Sequence, residues 1–234
     1  MRLLKDIIIA IDGYSSCGKS TLARNLAKYL GYRHIDTGAM YRAITLYCLE
    51  NNLIQNNQIN TIVLLPLLDK ISVDFKYNEQ QGVNEIYLNN RMVEALIREP
   101  IISEYASIVS KIPEVRSFLV KLQQKMGEQK RIVMDGRDIG TAVFPNADIK
   151  FFMTAKPEIR AQRRYKELIE NEIDIKFDEV FKNIEERDYL DTHRDISPLI
   201  QAHDAVVIDN SFLTKDQQFE QVLSILKAKF PYED

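Results

Sequence analysis

The chain is short of features that mark several classes of protein. Its 234 residues include only two cysteines, Cys17 and Cys48, which are too few for a disulfide framework in a chain of this length. They indicate free thiols in a reducing compartment. The net charge is −3, whereas a general nucleic-acid binder presents a basic surface. We therefore expect no nucleic-acid partner.

Long hydrophobic runs are absent as well. The apolar run at 7–11 is too short for the core of a signal peptide or for a membrane span. We therefore expect a cytoplasmic protein without a membrane partner. Hydrophobic residues make up 45% of the chain and charged residues 28%, a balance typical of a globular fold. The length suits one domain that carries an insertion.

Short β-branched runs alternate along the chain with segments of helical periodicity. The run at 7–11 is apolar on both faces, which is typical of a central strand in a parallel sheet. A helix is predicted from Lys19 to Leu30, with Gly31 as its stop. Further strands are predicted at 34–35, 131–134, 149–153 and 205–208. The alternation predicts an α/β fold of three layers, with a parallel sheet flanked by helices and ligands at the carboxyl ends of the strands.

The stretch 59–126 interrupts this alternation. Val73, Phe75 and Tyr77 alternate with polar residues, which predicts a half-buried strand. A turn is predicted at 78–84, followed by a strand at 86–88 and by two helices, the second starting at Pro113. We therefore predict an inserted domain at 59–126 with a small antiparallel sheet, within a core domain formed by 1–58 and 127–234.

Residues 13–20 carry the pattern G-x-x-x-x-G-K-[ST] of a phosphate-binding loop, or P-loop. The loop follows a predicted strand and opens a helix, as the pattern requires. We expect its backbone N–H groups to donate hydrogen bonds to phosphates and Lys19 to bind the β- and γ-phosphates. We expect the Ser20 hydroxyl to be a ligand of Mg²⁺. We therefore predict a P-loop NTPase-type fold that binds ATP and Mg²⁺. The residues predicted to bind them are Gly13, Tyr14, Ser15, Ser16, Cys17, Gly18, Lys19, Ser20 and Thr21.

Two further polar motifs lie at predicted strand ends. The segment 36–42, D-T-G-A-M-Y-R, follows a short strand and opens a helix, which suits a second phosphorylated ligand. The segment 135–138, D-G-R-D, ends another strand beside the P-loop. We expect Asp135 to hold waters on the Mg²⁺ ion.

Arginines are concentrated at about 156–197, a segment that we expect to form a flexible lid over the bound ligands. Arg187, Asp191 and Arg194 are spaced i, i+4 and i+7, which predicts that they share one helix face. A second arginine face comprises the residues Arg160, Arg163 and Arg164. This second face either binds phosphate or is a solvated salt-bridge surface, and the sequence leaves both readings open.

Four motifs occur in one order along the chain: D-G-x-S-x-x-G-K-S-T, D-T-G-A-M-Y-R, D-G-R-D-I-G-T-x-V-F-P and E-R-D-x-x-D-x-x-R. In these motifs and their spacing, from Ile9 to Asp209, the chain resembles bacterial cytidylate kinases. It departs from the family pattern at Tyr14, where a proline is usual, and at Thr37, where serine is frequent. Neither departure removes a phosphate-binding group.

The resemblance implies an ATP- and Mg²⁺-dependent kinase that phosphorylates CMP and dCMP, and we expect it to be a monomer. The matched catalytic residues are Lys19, Arg137, Arg187 and Arg194. The matched substrate-binding residues are Thr37, Tyr41, Arg42, Ser107, Arg116, Arg137, Asp138, Arg187, Asp191 and Arg194.

Two alternatives stay open from the sequence. One is another nucleoside monophosphate kinase of the UMP/CMP type, and the other is a nucleotide-binding module without catalysis. A GTPase switch is disfavoured because no N-K-x-D motif occurs. The triplet 193–195, H-R-D, is not a protein-kinase catalytic loop, because the accompanying Asn and D-F-G are missing.

Overall fold

The computed structural model describes residues 1–233 of the chain. In chain order the strands β1 to β12 lie at Arg2–Leu3, Ile8–Gly13, Arg33–Asp36, Ile54–Gln55, Gln58–Ile59, Val73–Asn78, Val83–Leu88, Arg91–Met92, Ile132–Gly136, Ile149–Thr154, Val206–Asp209 and Tyr232–Glu233. The α-helices α1 to α8 lie at Lys19–Leu30, Thr37–Glu50, Thr61–Leu64, Pro100–Val109, Pro113–Met126, Pro157–Glu170, Phe177–Thr192 and Lys215–Lys229. Two 3₁₀ segments lie at Leu65–Lys70 and Leu96–Arg98, and a π-helical turn lies at Ile139–Val143.

The chain divides into two compact units. The first, called the core unit below, comprises Met1–Tyr32 and the chain from Lys130 onward. The second unit comprises Arg33–Gln129. The P-loop and the arginine-rich helices α6 and α7 belong to the core unit, whereas the segment 36–42 belongs to the second unit.

Four strands of the parallel sheet lie in the core unit, in the order β11, β10, β2 and β9. In the central strand β2, Ile9 pairs with Ile149 of β10 on one side and with Val133 of β9 on the other. All three side chains are buried, as expected for strands covered on both faces. The predicted α/β fold, with a parallel sheet flanked by helices, is confirmed.

Helix α1 connects the P-loop to the hydrophobic core of the core unit. Its apolar stripe, Leu22, Leu26 and Leu30, is buried in the cluster that also contains the β2 side chains. The helix begins at Lys19 and ends at Leu30, as the periodicity predicted. Gly31 caps it in the left-handed region, at φ 65°, and its N–H bonds the last carbonyls.

The second unit contains the small antiparallel sheet, in the order β6, β7, β8. Val73 pairs with Leu88 and Phe75 with Ile86, and these four side chains form its buried face. The predicted turn at 78–84 was too long, because Asn78 already pairs with residue 83 at the start of β7. The Asn78 side chain closes the shorter turn by accepting the N–H groups of residues 80 and 81.

Within residues 1–233, no helix is long and apolar enough to cross a membrane.

Burial of the α1 stripe yields a test of the core. We expect Leu26→Ala to lower the free energy of unfolding by about 2–5 kcal/mol, because it leaves a cavity at a fully buried position. The matched control is Leu4→Ala, at a side chain that is 57% exposed, and its effect should stay within about 0.5 kcal/mol. Urea unfolding measures both, and equal effects would contradict this packing.

Candidate functional site

The P-loop lies between β2 and α1, and its glycines occupy positions that other residues would obstruct. Gly13 has φ 146°, and a Cβ there would fall on the carbonyl group of Met153. Gly18 has φ 93°, and its Cβ would lie 2.9 Å from Nδ2 of Asn210. That Asn210 nitrogen also donates to the Cys17 carbonyl at 2.8 Å. The loop is therefore held closely against β10 and the end of β11.

Lys19 opens α1 and is buried. Its Nζ donates to the carbonyl of Tyr14 at 2.5 Å and lies 3.7 Å from Sγ of Cys17. Burial lowers the pKa of Lys19 from its usual value, because the ammonium is removed from water. The lysine therefore has an internal carbonyl partner that a phosphate oxygen could replace.

Ser20 and Asp135 meet at the amino end of α1 and the carboxyl end of β9. The Ser20 hydroxyl donates to Oδ2 of Asp135 at 2.6 Å. A hydroxyl and a carboxylate are oxygen ligands of the kind that Mg²⁺ binds. No cluster of three His, Cys, Asp or Glu side chains that could hold a metal occurs in the described chain. The donor set thus fits an ion shared with bound phosphates rather than a cage made by the protein alone.

Two residues of the predicted lid, Asp191 and Arg194, meet the D-G-R-D segment within the core unit. Nε of Arg137 donates to Oδ2 of Asp191 at 2.6 Å. Nη2 of Arg194 lies 3.6 Å from Oδ1 of Asp138, and its Nη1 lies 4.0 Å from Oδ1 of Asp191. Burial alone would raise the pKa of Asp191, but Arg137, Arg194 and Arg187 together hold that pKa below its usual value. Asp191 is therefore a carboxylate that interacts with three arginines at once.

Arg194 does not share a helix face with Arg187 and Asp191, which corrects the sequence prediction. Helix α7 ends at Thr192, so Arg194 lies beyond it. Pro198 disfavours helical conformation in the residue before it, and Ser197 has φ 49°. The Arg194 side chain still reaches Asp191, because Nε donates to the Ser197 carbonyl at 2.6 Å and folds the segment back.

In the second unit, Asp36 caps the helix α2 that carries Thr37, Tyr41 and Arg42. One carboxylate oxygen accepts the N–H of Ala39 at 3.0 Å, and the other accepts Nη2 of Arg42 at 2.9 Å. Burial would raise the pKa of Asp36, but Arg42 and Arg98 hold it well below its usual value. Nε of Arg42 is buried without a hydrogen-bond partner within residues 1–233. That N–H remains available to an anionic ligand.

Arg116 and Tyr41 also come together in the second unit. The Arg116 guanidinium lies over the Tyr41 ring, 5.6 Å from its centroid, and Nη1 donates to the Ser110 carbonyl at 3.3 Å. The Ser107 hydroxyl instead donates to the carbonyl of Glu104 in its own helix, at 2.8 Å. Of these sequence-predicted residues, Tyr41 and Arg116 are therefore in direct contact.

Asp12 was part of a recognised motif, but the sequence did not reveal its partners. Its two carboxylate oxygens accept the consecutive N–H groups of Ile139 and Gly140, each at 2.7 Å. Burial raises the pKa of Asp12 to about 6. The carboxylate thereby joins the start of the P-loop to the D-G-R-D-I-G turn. Because the partners are 127 and 128 residues apart in sequence, no local pattern could have shown this contact.

Comparison with known proteins places these motifs in a family context. Residues 9–228 match a family model described as cytidylate kinase. A protein of Flavobacterium psychrophilum named cytidylate kinase is 52% identical over 95% of this chain and 99% of its own length. The cytidylate kinase of Bacteroides thetaiotaomicron is 49% identical over 93% of this chain and 95% of its own.

Among solved structures, an uncharacterized protein of Eubacterium ventriosum has a similar fold. It is 12% identical, with a TM-score of 0.51 over 96% of this chain and 99% of its own. The likeness concerns the fold alone.

The Asp36 contacts predict a pH-dependent contribution to stability. Because the folded-state pKa is depressed, this contribution is complete above the ordinary carboxyl pKa of 3.8 and declines as pH falls below it. Asp36→Asn keeps an N-cap side chain but loses the charge, so it should cost about 1.5–3 kcal/mol at pH 7. Urea unfolding from pH 7 to pH 3 should show this difference shrinking, and a constant difference would contradict the assignment.

Proposed function

The chain belongs to the cytidylate kinase family, and we propose that it transfers the γ-phosphoryl group of ATP to CMP or dCMP, giving ADP and CDP or dCDP. The observation that carries the proposal is identity of about half over nearly the full length to relatives named cytidylate kinase. The P-loop supports it, since Lys19 supplies a buried cation and Ser20 a hydroxyl at the amino end of α1, the groups that a triphosphate and its metal require.

The acceptor in this reaction is a phosphate oxygen, which is already anionic near neutral pH. It needs no strong general base, so the protein's task is to position two polyanions and to stabilise the charge on the transferring phosphoryl group. We propose that Lys19 leaves the Tyr14 carbonyl to hold the β- and γ-phosphates. Loop N–H groups and the amino end of α1 supply the remaining positive potential.

We propose a magnesium site at Ser20, with Asp135 holding the ion through water. Mg²⁺ bound there would neutralise phosphate charge. Asp135 stands within hydrogen-bond distance of the Ser20 hydroxyl, so the carboxylate orients that hydroxyl and can accept from metal-bound waters.

The remaining predicted site residues are assigned to the acceptor nucleotide. In the second unit we propose that Arg42 binds its phosphate, because the unpartnered Nε can donate. The other acceptor-binding residues proposed in that unit are Thr37, Tyr41, Ser107 and Arg116. In the core unit we propose Arg137 and Arg194 for phosphate, Asp138 for the base, and Arg187 and Asp191 for the ribose. The division into a core and an insert at 59–126 stays a prediction.

We also propose that the enzyme is a cytoplasmic monomer without nucleic-acid or membrane partners. The two buried free cysteines support a reducing compartment, and the net charge of −3 argues against a nucleic-acid partner.

Comparison of six nucleoside monophosphates as phosphate acceptors tests the proposed reaction. With ATP and Mg²⁺, CMP and dCMP should turn over fast, UMP more slowly, and AMP, GMP and dTMP negligibly, because the site recognises the cytosine edge. A coupled assay of ADP release measures all six. Preference for another acceptor would reject the substrate assignment, and ATP binding without any turnover would favour a non-catalytic module.

The magnesium assignment has its own test. We expect Asp135→Asn to raise the Mg²⁺ concentration needed for half-maximal rate by about tenfold or more, because second-sphere partners of a metal contribute 10- to 100-fold to its affinity. Titration of Mg²⁺ at saturating ATP and CMP measures the shift. An unchanged Mg²⁺ dependence would remove Asp135 from the metal site.

A further inference from the structure

Arg160 is a buried arginine, and each of its three guanidinium nitrogens has a partner within the core unit. Nε donates to the Ala155 carbonyl at 2.8 Å, and Nη1 donates to the Ser15 carbonyl of the P-loop at 3.4 Å. Nη2 lies 2.6 Å from Oδ2 of Asp188 on α7. The side chain of Arg160 is 3% exposed and that of Asp188 is 18% exposed. One guanidinium therefore bridges the P-loop and α7.

The unusual tyrosine of the P-loop packs on this same guanidinium. The Arg160 guanidinium lies over the Tyr14 ring, 5.1 Å from its centroid. The Tyr14 ring also contacts Phe152 of β10 edge-on, with the ring centroids 5.9 Å apart and the ring planes at 84°. A proline at position 14 would offer Arg160 no aromatic face. Tyr14 thus adds a second link between the loop and Arg160.

The three arginines of α6 have separate surroundings, so neither interpretation of their sequence pattern holds for all three. Arg164 pairs with Glu167 at the surface. Arg163 donates through Nη2 to the Asn210 carbonyl at 2.7 Å, whereas its buried Nη1 has no partner within residues 1–233. Arg160 has no such spare nitrogen, because Nε, Nη1 and Nη2 are all engaged. Its geometry is that of a structural bridge rather than of a phosphate ligand.

Asp188 lies on the part of α7 that carries Arg187 and Asp191, the two residues proposed to contact the ribose of the acceptor. It directly follows Arg187 and stands one turn before Asp191, which holds Arg137. Oδ1 of Asp188 is buried and makes no hydrogen bond in the described chain. The contact with Arg160 through Oδ2 is therefore the main compensation for burying this carboxylate.

We propose that Arg160 is a positioning residue for phosphoryl transfer, which fixes the helix bearing Arg187 and Asp191 to the P-loop through Asp188, Ser15 and Tyr14. Displacement of a positioned group by about 1 Å can cost 10²-fold in rate, so a bridge of this kind affects turnover without touching substrate. The inference rests on the proposed function, because it assigns the α7 side chains to the reaction.

A double-mutant cycle of Arg160→Gln and Asp188→Asn tests the bridge. Each single variant should lower kcat by about 10- to 100-fold, while the affinity for ATP, measured by calorimetry, changes less than about threefold. Each single variant leaves one buried charge unpaired, so the double variant should lose much less than the product of the two single effects. The matched control is Glu167→Gln, which breaks the surface pair of the same helix and should leave kcat unchanged.

Hydrogen exchange of the ligand-free protein supplies a readout that does not depend on turnover. Amides of α7 should exchange faster in both single variants and remain at the wild-type rate in the Glu167→Gln control. Uniformly faster exchange across the core unit would indicate general destabilisation and would contradict a positioning role.

Three results would overturn the inference. The first is that the losses of kcat in the two single variants multiply in the double variant. The second is that hydrogen exchange of α7 is unchanged in both single variants. The third is loss of ATP affinity in Arg160→Gln with normal kcat in Asp188→Asn, which would make Arg160 a nucleotide ligand. Failure of the proposed function is distinct, because the wild-type enzyme would then phosphorylate no nucleoside monophosphate. Even in that case the exchange rates of α7 would decide whether the bridge exists.

Discussion

The candidate site depends on one constraint, which is that buried cations must be partnered inside the protein before any phosphate arrives. An unpaired charge in the interior is strongly unfavourable. Lys19 accordingly contacts the Tyr14 carbonyl, Arg137 contacts Asp191, and Arg160 contacts Asp188. In the proposed reaction some of these partners are exchanged for phosphate oxygens, while others hold the surrounding helices in place.

The difference between these two kinds of partner follows from geometry. The Tyr14 carbonyl is a single neutral acceptor at 2.5 Å from Nζ of Lys19, and a charged phosphate oxygen is a stronger partner for an ammonium. Arg160 is instead enclosed by two carbonyls, a carboxylate and an aromatic ring. Replacing so many contacts at once is unfavourable. Lys19 is therefore suited to bind a ligand, whereas Arg160 is suited to hold α7 against the P-loop.

Much of the fold could be predicted from the sequence because the relevant signals are local. The periodicity from Lys19 to Gly31 predicted the bounds of α1, and the apolar runs located the parallel strands of the core unit to within two residues. Arg194 was misplaced because the regular i, i+4, i+7 spacing of the residues continues past the real end of α7 at Thr192. Contacts such as Asp12 with Gly140, or Arg160 with Ser15, join residues more than a hundred positions apart and leave no local pattern.

The central claim, that Lys19 exchanges an internal partner for phosphate, is tested most directly by a crystal structure with Mg²⁺, CMP and a non-hydrolysable ATP analogue. The account predicts that Nζ of Lys19 leaves the Tyr14 carbonyl for the β- and γ-phosphates, with the metal on the Ser20 hydroxyl. It also predicts that Arg160 keeps its contact with Asp188. A nucleotide bound elsewhere, with Lys19 still on the Tyr14 carbonyl, would contradict it.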